Sequence, residues 1–346
     1  MTETSPRVSR LLGDLRGGGP RVIDDFWHEV KTRETPLVEA VDDESALVTF
    51  LWRGEAEYTA VAYGVDVALS RIDGTDLWHG SQRLPLDLRT FYYLRHRDDG
   101  IPANLDGAGP SHIDPLNPHM FRFPADRRDQ TDVGGWVSWL ELPSAPDEPW
   151  SRPLAGVARG SLLRTSIRTT ALGGRRSIVV YRPAGRPKGP VALLVVFDGF
   201  ASRAVLRIPT TLDNLIAAER IPPTMALFVN APSGKRRDWE MRPGPAIRNF
   251  VLRELMPWAR RRWRISDDPQ HRVISGASLG GLVAAYIAMK APHEFGCVHS
   301  QIRQLLVAGS PRCRTGMAHP RLREPSAPPT QVLPGRRRQG NALSNR

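Results

Sequence analysis

A short glycine-rich segment in the second half of the chain has the residue types and spacing of a nucleophilic site. Gly276-Ala-Ser-Leu-Gly-Gly281 fits the pattern G-x-S-x-G, in which a serine lies on a tight turn between a strand and a helix. We predict that Ser278 is the nucleophile of a hydrolase and that the backbone N–H of Leu279 stabilises the oxyanion. The alternative is an ordinary glycine- and serine-containing turn.

A second segment has the character of an oxyanion loop. Asp198-Gly199-Phe200 directly follows the apolar run Val191–Phe197. In hydrolases with a nucleophile turn, a loop after an earlier strand supplies the second amide of the oxyanion hole. Gly199 would let the backbone approach a substrate carbonyl closely. An ordinary turn at the end of a strand explains this segment equally well.

Three further groups of polar residues have simple structural interpretations. Lys235-Arg-Arg237 and Glu240 precede a helical pattern, and a solvated loop accounts for them. Arg260–Arg264 ends a helical pattern, where positive charge complements the helix dipole. His112, Asp114 and His119 are possible metal ligands, but their turn-rich setting does not favour metal binding.

The elements that position Ser278 follow from hydrophobic patterning. Strands are predicted at 177–181, 191–197, 225–229 and 271–275, and helices at 211–220, 247–259 and 279–290. Pro257 should kink the second of these helices. Such alternation predicts a mainly parallel sheet with helices on both faces.

The first half of the chain has a different pattern. A helix is predicted near the N-terminus, where Val8, Leu11, Leu12 and Leu15 recur at helical spacing. Short strand-like runs follow at 46–52, 58–63 and 90–94, and they suit a small antiparallel sandwich. The proline-rich stretch 143–153 marks a domain boundary.

Length and composition exclude several protein classes. The 346 residues are 40% hydrophobic and 24% charged, which indicates globular domains, two by length. Two cysteines, Cys297 and Cys313, make neither a disulfide framework nor a thiolate zinc site. Residues 1–25 contain no apolar signal segment, and no run is long enough to span a bilayer, so we expect a cytoplasmic protein with no membrane partner.

The net charge of +12 is unevenly distributed. Residues 302–346 contain nine arginines and one glutamate, which leaves only +4 on the first 301 residues. The excess charge therefore belongs to a short segment and not to a domain face, and we expect no nucleic-acid partner.

Several segments together resemble the enterochelin (enterobactin) esterase family. They occur in family order between about residues 30 and 301: 35–39, 48–53, 74–78, 114–118, 197–199, 237–241, 254–258, 273–281, 295–296 and 300–301. The most specific is Val273-Ile-Ser-Gly-Ala-Ser-Leu-Gly-Gly281, and Arg237-Asp-Trp-Glu-Met241 stands where the family has R-x-x-E-L.

The resemblance implies an Ig-like all-β domain at residues 31–145 and an α/β-hydrolase domain at 156–301, with residues 1–30 forming a helix and a linker. It implies hydrolysis of the ester bonds of ferric catecholate siderophores, with iron arriving in the substrate and no other cofactor or protein-bound metal. Ser278 would be the nucleophile, and the amides of Leu279 and of the Gly199–Phe200 turn the oxyanion hole. Arg237 and Glu240 would lie near the substrate, and Arg237 suits an anionic one.

The pattern departs from the family after Gln301. The expected acid and histidine that activate the serine are not recognisable among residues 279–346, and residues 302–346 form a divergent Arg- and Pro-rich tail. We hypothesise a change of reading frame near codon 301. Two other functions stay open: an esterase of another acyl substrate, and a relative that binds ferric siderophore without cleaving it.

Overall fold

A computed structural model describes residues 3–17, 21–96, 111–127, 134–232 and 234–301. The tail predicted at 302–346 lies outside these residues. The helices are α1 (Pro6–Leu15), α2 (Arg21–Arg33), α3 (Gly199–Ala204), α4 (Ile208–Ala217), α5 (Gly234–Glu240), α6 (Pro245–Asn249), α7 (Met256–Arg260) and α8 (Leu279–Lys290).

Fifteen strands lie within the described residues. Those of the first half are β1 (Leu37–Ala40), β2 (Ser45–Arg53), β3 (Thr59–Tyr63), β4 (Val67–Arg71), β5 (Leu77–Pro85), β6 (Arg89–Arg95), β7 (Ser111–His112), β8 (Met120–Phe123) and β9 (Gly135–Glu141). Those of the second half are β10 (Ser161–Arg168), β11 (Arg175–Arg182), β12 (Ala192–Val196), β13 (Thr224–Val229), β14 (Arg272–Ala277) and β15 (Cys297–Gln301).

Two helices lie in residues 6–33, where the sequence pattern predicted one helix and a linker. Ser5 caps α1, because its Oγ accepts the backbone N–H groups of Arg7 and Val8 at 3.1 and 3.3 Å. The missed helix α2 has a readable signal, since Phe26, Trp27 and Val30 follow helical spacing. All three pack with Val8 in one apolar cluster against the first sheet.

The strands of the first half form one antiparallel sheet with the order β1-β2-β5-β4-β3-β6-β9-β8, in which β7 pairs with β6. Strands that lie far apart in this order contribute side chains to one core. Phe50 of β2 meets Tyr92 of β6 edge to face, with ring centroids 5.0 Å apart, and Val61 and Leu140 join them. The strand-like runs at 46–52, 58–63 and 90–94 correspond to β2, β3 and β6 of this antiparallel sheet, whereas an Ig-like topology stays a prediction.

The second half contains a six-stranded mixed sheet with the order β10-β11-β13-β12-β14-β15. Strands β13, β12, β14 and β15 are mutually parallel, and β10 and β11 add an antiparallel hairpin at one edge. The expected mainly parallel sheet is therefore mixed. From β13 the chain crosses over β12 to β14, so the carboxyl ends of β12 and β14 form a switch point, where sites of open α/β sheets lie.

The kink expected at Pro257 is spread over a longer segment. A π-helical stretch, Phe250–Leu255, connects α6 to α7, and Pro257 is the second residue of α7. Because proline has no N–H to donate and its ring crowds the carbonyl four residues earlier, the wider turn accommodates it.

No helix of the described residues is long and apolar enough to cross a membrane.

Candidate active site

Ser278 lies on the turn between β14 and α8 with a backbone that only few non-glycine residues adopt. Its φ and ψ are 52° and −126°, and its side chain is exposed. Non-glycine residues at positive φ are uncommon and cluster at functional sites, where the surrounding structure holds the strain. The turn presents the Ser278 hydroxyl beyond the carboxyl edge of the sheet. Leu279 begins α8, so its N–H has no partner inside the helix.

The glycines around Ser278 are explained by close packing. A Cβ at Gly276 would lie 2.4 Å from the backbone carbon of Gly280, and a Cβ at Gly280 would lie 3.1 Å from Oδ2 of Asp198. The first contact is impossible without moving the backbone. A small residue two positions before the serine is therefore required for α8 to start this close to the sheet.

Strand β15 holds the turn from the other side. The Ser278 N–H donates to the carbonyl of Gln301 at 2.8 Å, and Ser300 Oγ donates to the carbonyl of Gly281 at 2.9 Å. The amide of Ser278 is thus occupied, which leaves the next amide, that of Leu279, for a substrate oxygen.

The second predicted amide group lies on the neighbouring strand end. Val196 of β12 pairs with Ser275 of β14, and the Phe197 N–H donates to the Ser275 carbonyl at 3.0 Å. Asp198 then adopts a left-handed conformation with a φ of 50°, and α3 begins at Gly199. A Cβ on Gly199 would lie 2.7 Å from the backbone of Phe228, so α3 can only start here with glycine.

Arg237 reaches this edge from α5. Its Nε and Nη2 donate to Oδ1 and Oδ2 of Asp198, each at 2.7 Å, in a two-point ion pair that is largely buried. The hydrogen bonds to Asp198 raise the pKa of Arg237, and nearby Asp238 and Tyr63 add to the effect. No local sequence signal revealed this pair, because the two residues are 39 positions apart.

Glu240 lies on the same helix but below the surface. Its carboxylate is 2.6 Å from Nη2 of Arg176 on β11, and both side chains are almost fully buried. Arg236 also contacts it at 3.0 Å from the solvent side. In this position Glu240 fastens α5 to the sheet, and its predicted place near a substrate stays a prediction.

Neither histidine that follows Ser278 within the described residues makes a hydrogen bond to its hydroxyl. Nδ1 of His299 is 3.0 Å from Oγ of Ser275, and the backbone carbonyl of His293 accepts from Arg272. Within the described residues the Ser278 hydroxyl has no hydrogen-bond partner. The histidine and acid of a serine hydrolase thus stay unassigned.

The possible metal ligands of the first half do not come together. His112 Nε2 is 2.7 Å from Nε2 of His96, Asp114 accepts from Tyr92 and Thr35, and His119 is exposed beside Glu34. Across the part of the chain that the structure describes, no three His, Cys, Asp or Glu side chains are placed to hold a metal ion.

Comparison with known proteins decides the family. A family model described as "Putative esterase" matches residues 169–303. The iron(III) enterobactin esterase of Dickeya dadantii is 31% identical over an alignment that covers 85% of this chain and 73% of that protein. This chain belongs to the iron(III) enterobactin esterase family. Members of the family are carboxylic ester hydrolases, so the predicted family and reaction class are confirmed.

Solved structures of the family agree on the fold. The ferric enterobactin esterase of Salmonella typhimurium matches with a TM-score of 0.56 and 25% identity over 80% of this chain and 76% of that one. The Shigella flexneri enterobactin esterase, crystallised in the presence of 2,3-dihydroxy-N-benzoyl-serine, matches with a TM-score of 0.52 and 25% identity over 80% and 75%. The predicted α/β-hydrolase-like fold is confirmed.

Proposed function

We propose that the protein is a serine esterase that hydrolyses the ester bonds of ferric catecholate siderophores of the enterobactin type. The observation that carries the proposal is the exposed Ser278 on its left-handed turn at the switch point of the sheet. Membership of the enterobactin esterase family supports the substrate class. We also propose that iron reaches the protein as part of the substrate and that the protein holds no cofactor of its own.

In this reaction Ser278 Oγ forms a bond to the ester carbonyl carbon, and the carbonyl π electrons move onto its oxygen. The N–H groups of Leu279 and of the Gly199–Phe200 turn are the donors for that oxyanion. Collapse of the tetrahedral species breaks the bond to the alcohol oxygen, which leaves with a proton. Water then hydrolyses the acyl-enzyme. The proton of Ser278 needs a base, and that role stays unassigned.

Arg237 is the cation that an anionic tris-catecholate would meet beside Ser278, because Asp198 holds it at the same sheet edge. Glu240 would act through α5, since its buried ion pair with Arg176 positions the helix that carries Arg237.

One observation favours a second function, which is binding of ferric siderophore without cleavage. The Ser278 hydroxyl has no histidine partner among the described residues, and an unactivated serine is a weak nucleophile.

The test compares three proteins: the full chain, Ser278→Ala and Ser161→Ala, which removes an exposed serine from the edge strand β10. We expect hydrolysis of ferric enterobactin and labelling by a fluorophosphonate in the full chain and in Ser161→Ala, and neither in Ser278→Ala. Tight binding with no hydrolysis in any of them would replace the esterase by the binding function. Neither binding nor hydrolysis in folded protein would overturn both.

A further inference from the structure

Six aromatic side chains form a continuous row on the outer face of the first sheet. We call this the aromatic row; its members are Tyr63, Phe91, Tyr93, Phe121, Phe123 and Trp139. Ring centroids of neighbours are 4.8 to 6.0 Å apart. None of the six rings is fully buried, so each leaves part of its surface to solvent. A row of this kind offers several ring faces and edges to a ligand with more than one aromatic ring.

Tyr63 joins the row through an unusual backbone conformation. Its pairing partner Tyr92 is fully buried, and alternation along β3 would turn Tyr63 to the same inner face. Instead Tyr63 has a φ of 95° and is 62% exposed, and its ring contacts Phe91 and Tyr93 on the opposite face. Such a conformation costs free energy for a tyrosine and marks a position worth a functional explanation.

The row begins beside the candidate active site. Tyr63 is close enough to Arg237 to act on it electrostatically, although the stronger influence on the raised pKa of Arg237 is its bonding to Asp198. Asp198 in turn lies against Gly280, the second residue of α8. Contacts therefore lead from the serine turn to Asp198 and Arg237, and the first ring of the row lies within electrostatic range of that guanidinium.

A cavity of about 400 Å³ lies at the other end of the row, between the first sheet and the hydrolase half. One wall includes Phe121 of the row with Arg122 and Arg127. The other wall is the segment after α3, with Val205 and Arg207. This volume lies within the range of small-molecule sites. Arg127 and Arg207 with the Phe121 ring suit an anionic aromatic ligand, whereas the Arg122 guanidinium lies over the Trp136 ring, 5.7 Å from its centroid.

We propose that the aromatic row and this cavity form the subsite that receives the catechol rings and the negative charge of the ferric tris-catecholate. The inference rests on the proposed function, since it takes the substrate class from there. The row supplies surfaces for stacking, and Arg127 and Arg207 face the charge of the iron complex. The all-β half thus takes part in substrate recognition, while Ser278 is supplied by the other half.

The test measures binding apart from turnover. Quenching of tryptophan fluorescence by ferric enterobactin gives the Kd in a Ser278→Ala background. We expect Tyr63→Ser with Phe123→Ser to raise the Kd about 10-fold, because ring contacts are lost. Arg127→Gln with Arg207→Gln should raise it similarly and weaken its dependence on salt. Ferrichrome, a ferric hydroxamate without aromatic rings, should bind far more weakly to every variant.

Matched controls lie on other surfaces. Leu163→Ala removes an exposed apolar side chain from β10, and Arg186→Gln with Lys188→Gln removes two charges from the loop before β12, at the opposite edge of the sheet. Both controls should keep the Kd of the Ser278→Ala background. Circular dichroism shows which variants remain folded.

The outcomes separate this inference from the proposed function. An unchanged Kd in both folded test pairs overturns the subsite. The same pairs are also made in the chain that keeps Ser278, and if those variants hydrolyse ferric enterobactin, the esterase proposal stands. A raised Kd in the test pairs, with no hydrolysis by the full chain, supports the subsite and overturns the esterase.

Discussion

Asp198 and Arg237 form a two-point ion pair at the carboxyl edge of the second sheet, with both N···O distances 2.7 Å. Asp198 ends the turn after β12 next to the predicted oxyanion amides, whereas Arg237 comes from α5. The pair therefore connects the backbone that would stabilise the reaction to the cation that would attract the substrate.

Replacing Asp198 by asparagine should loosen Arg237 without disturbing the turn. Asparagine tolerates the left-handed conformation of this position and keeps one acceptor oxygen. We expect KM for ferric enterobactin to rise about 5-fold, because a mobile guanidinium loses orientation on binding. Steady-state kinetics checks this. The control is Asp213→Asn, which removes a carboxylate that accepts a hydrogen bond from Tyr181, and its KM should stay unchanged. An unchanged KM in Asp198→Asn would show that the pair does not orient Arg237.

A methyl group at Gly276 should disrupt the nucleophile turn. The added Cβ would lie 2.4 Å from Gly280, so the backbone of α8 or β14 must move. We expect Gly276→Ala to lower the free energy of unfolding by about 2 to 3 kcal/mol, as overpacking does. Urea unfolding measures the effect. Gly189→Ala is the matched control, since nothing lies within 4 Å of its Cβ; equal midpoints for the two variants would contradict the packing argument.

Removing only one partner of the buried pair Arg176–Glu240 should lower the free energy of unfolding strongly. Glu240→Gln leaves Arg176 buried without its counter-charge, and we expect a loss of about 3 kcal/mol. Arg236→Ala, which removes the exposed partner, should cost less than about 1 kcal/mol. Chemical denaturation of the single variants and of Arg176→Met with Glu240→Gln checks this.

The double variant also tests the predicted place of Glu240 near the substrate. We expect it to recover most of the stability, because no unpaired charge stays buried. If it also binds ferric enterobactin like the parent, Glu240 acts by positioning α5. Weaker binding by the restored double variant would instead assign Glu240 a direct contact.

The histidine pair of the first half should make stability depend on pH. Burial, and then the neighbouring His112, lower the pKa of His96 to about 4 from the ordinary 6.5. His96 also faces Thr59 at 3.2 Å and stacks on Trp52 with ring centroids 4.0 Å apart. Between these two pH values the unfolded chain binds more protons, so stability decreases as the pH falls from about 6.5 towards 4.

Urea midpoints at pH 7, 6, 5 and 4.5 measure this dependence. His96→Phe keeps a ring on Trp52 and removes the titrating group, so its midpoint should change less over this range. Thr59→Val keeps both histidines and should retain the dependence of the parent chain. The same slope in His96→Phe and in the parent would refute the assignment to His96.

Local patterns were sufficient for the elements around the nucleophile turn. Apolar runs predicted strands at 225–229 and 271–275, where β13 and β14 lie, and α8 spans the predicted residues 279–290. These elements follow from neighbours within one strand or one helical turn, so the sequence reports them directly. Helix α2 was readable in the same way and was missed. The roles of Ser278, Leu279, Gly199 and Phe200 stay predictions.

The sequence by itself therefore determined that a serine stands between a buried strand and a helix, with small residues where the backbones come close. The tertiary structure alone decided which distant side chains pair with one another. Asp198 pairs with Arg237, Glu240 with Arg176, and Tyr63 turns outward to Phe91. Each of these contacts depends on the order of strands in a sheet or on a single backbone angle. Neither the strand order nor a single backbone angle produces a periodic pattern in the sequence, because the partners lie far apart along the chain or on the opposite face of the sheet.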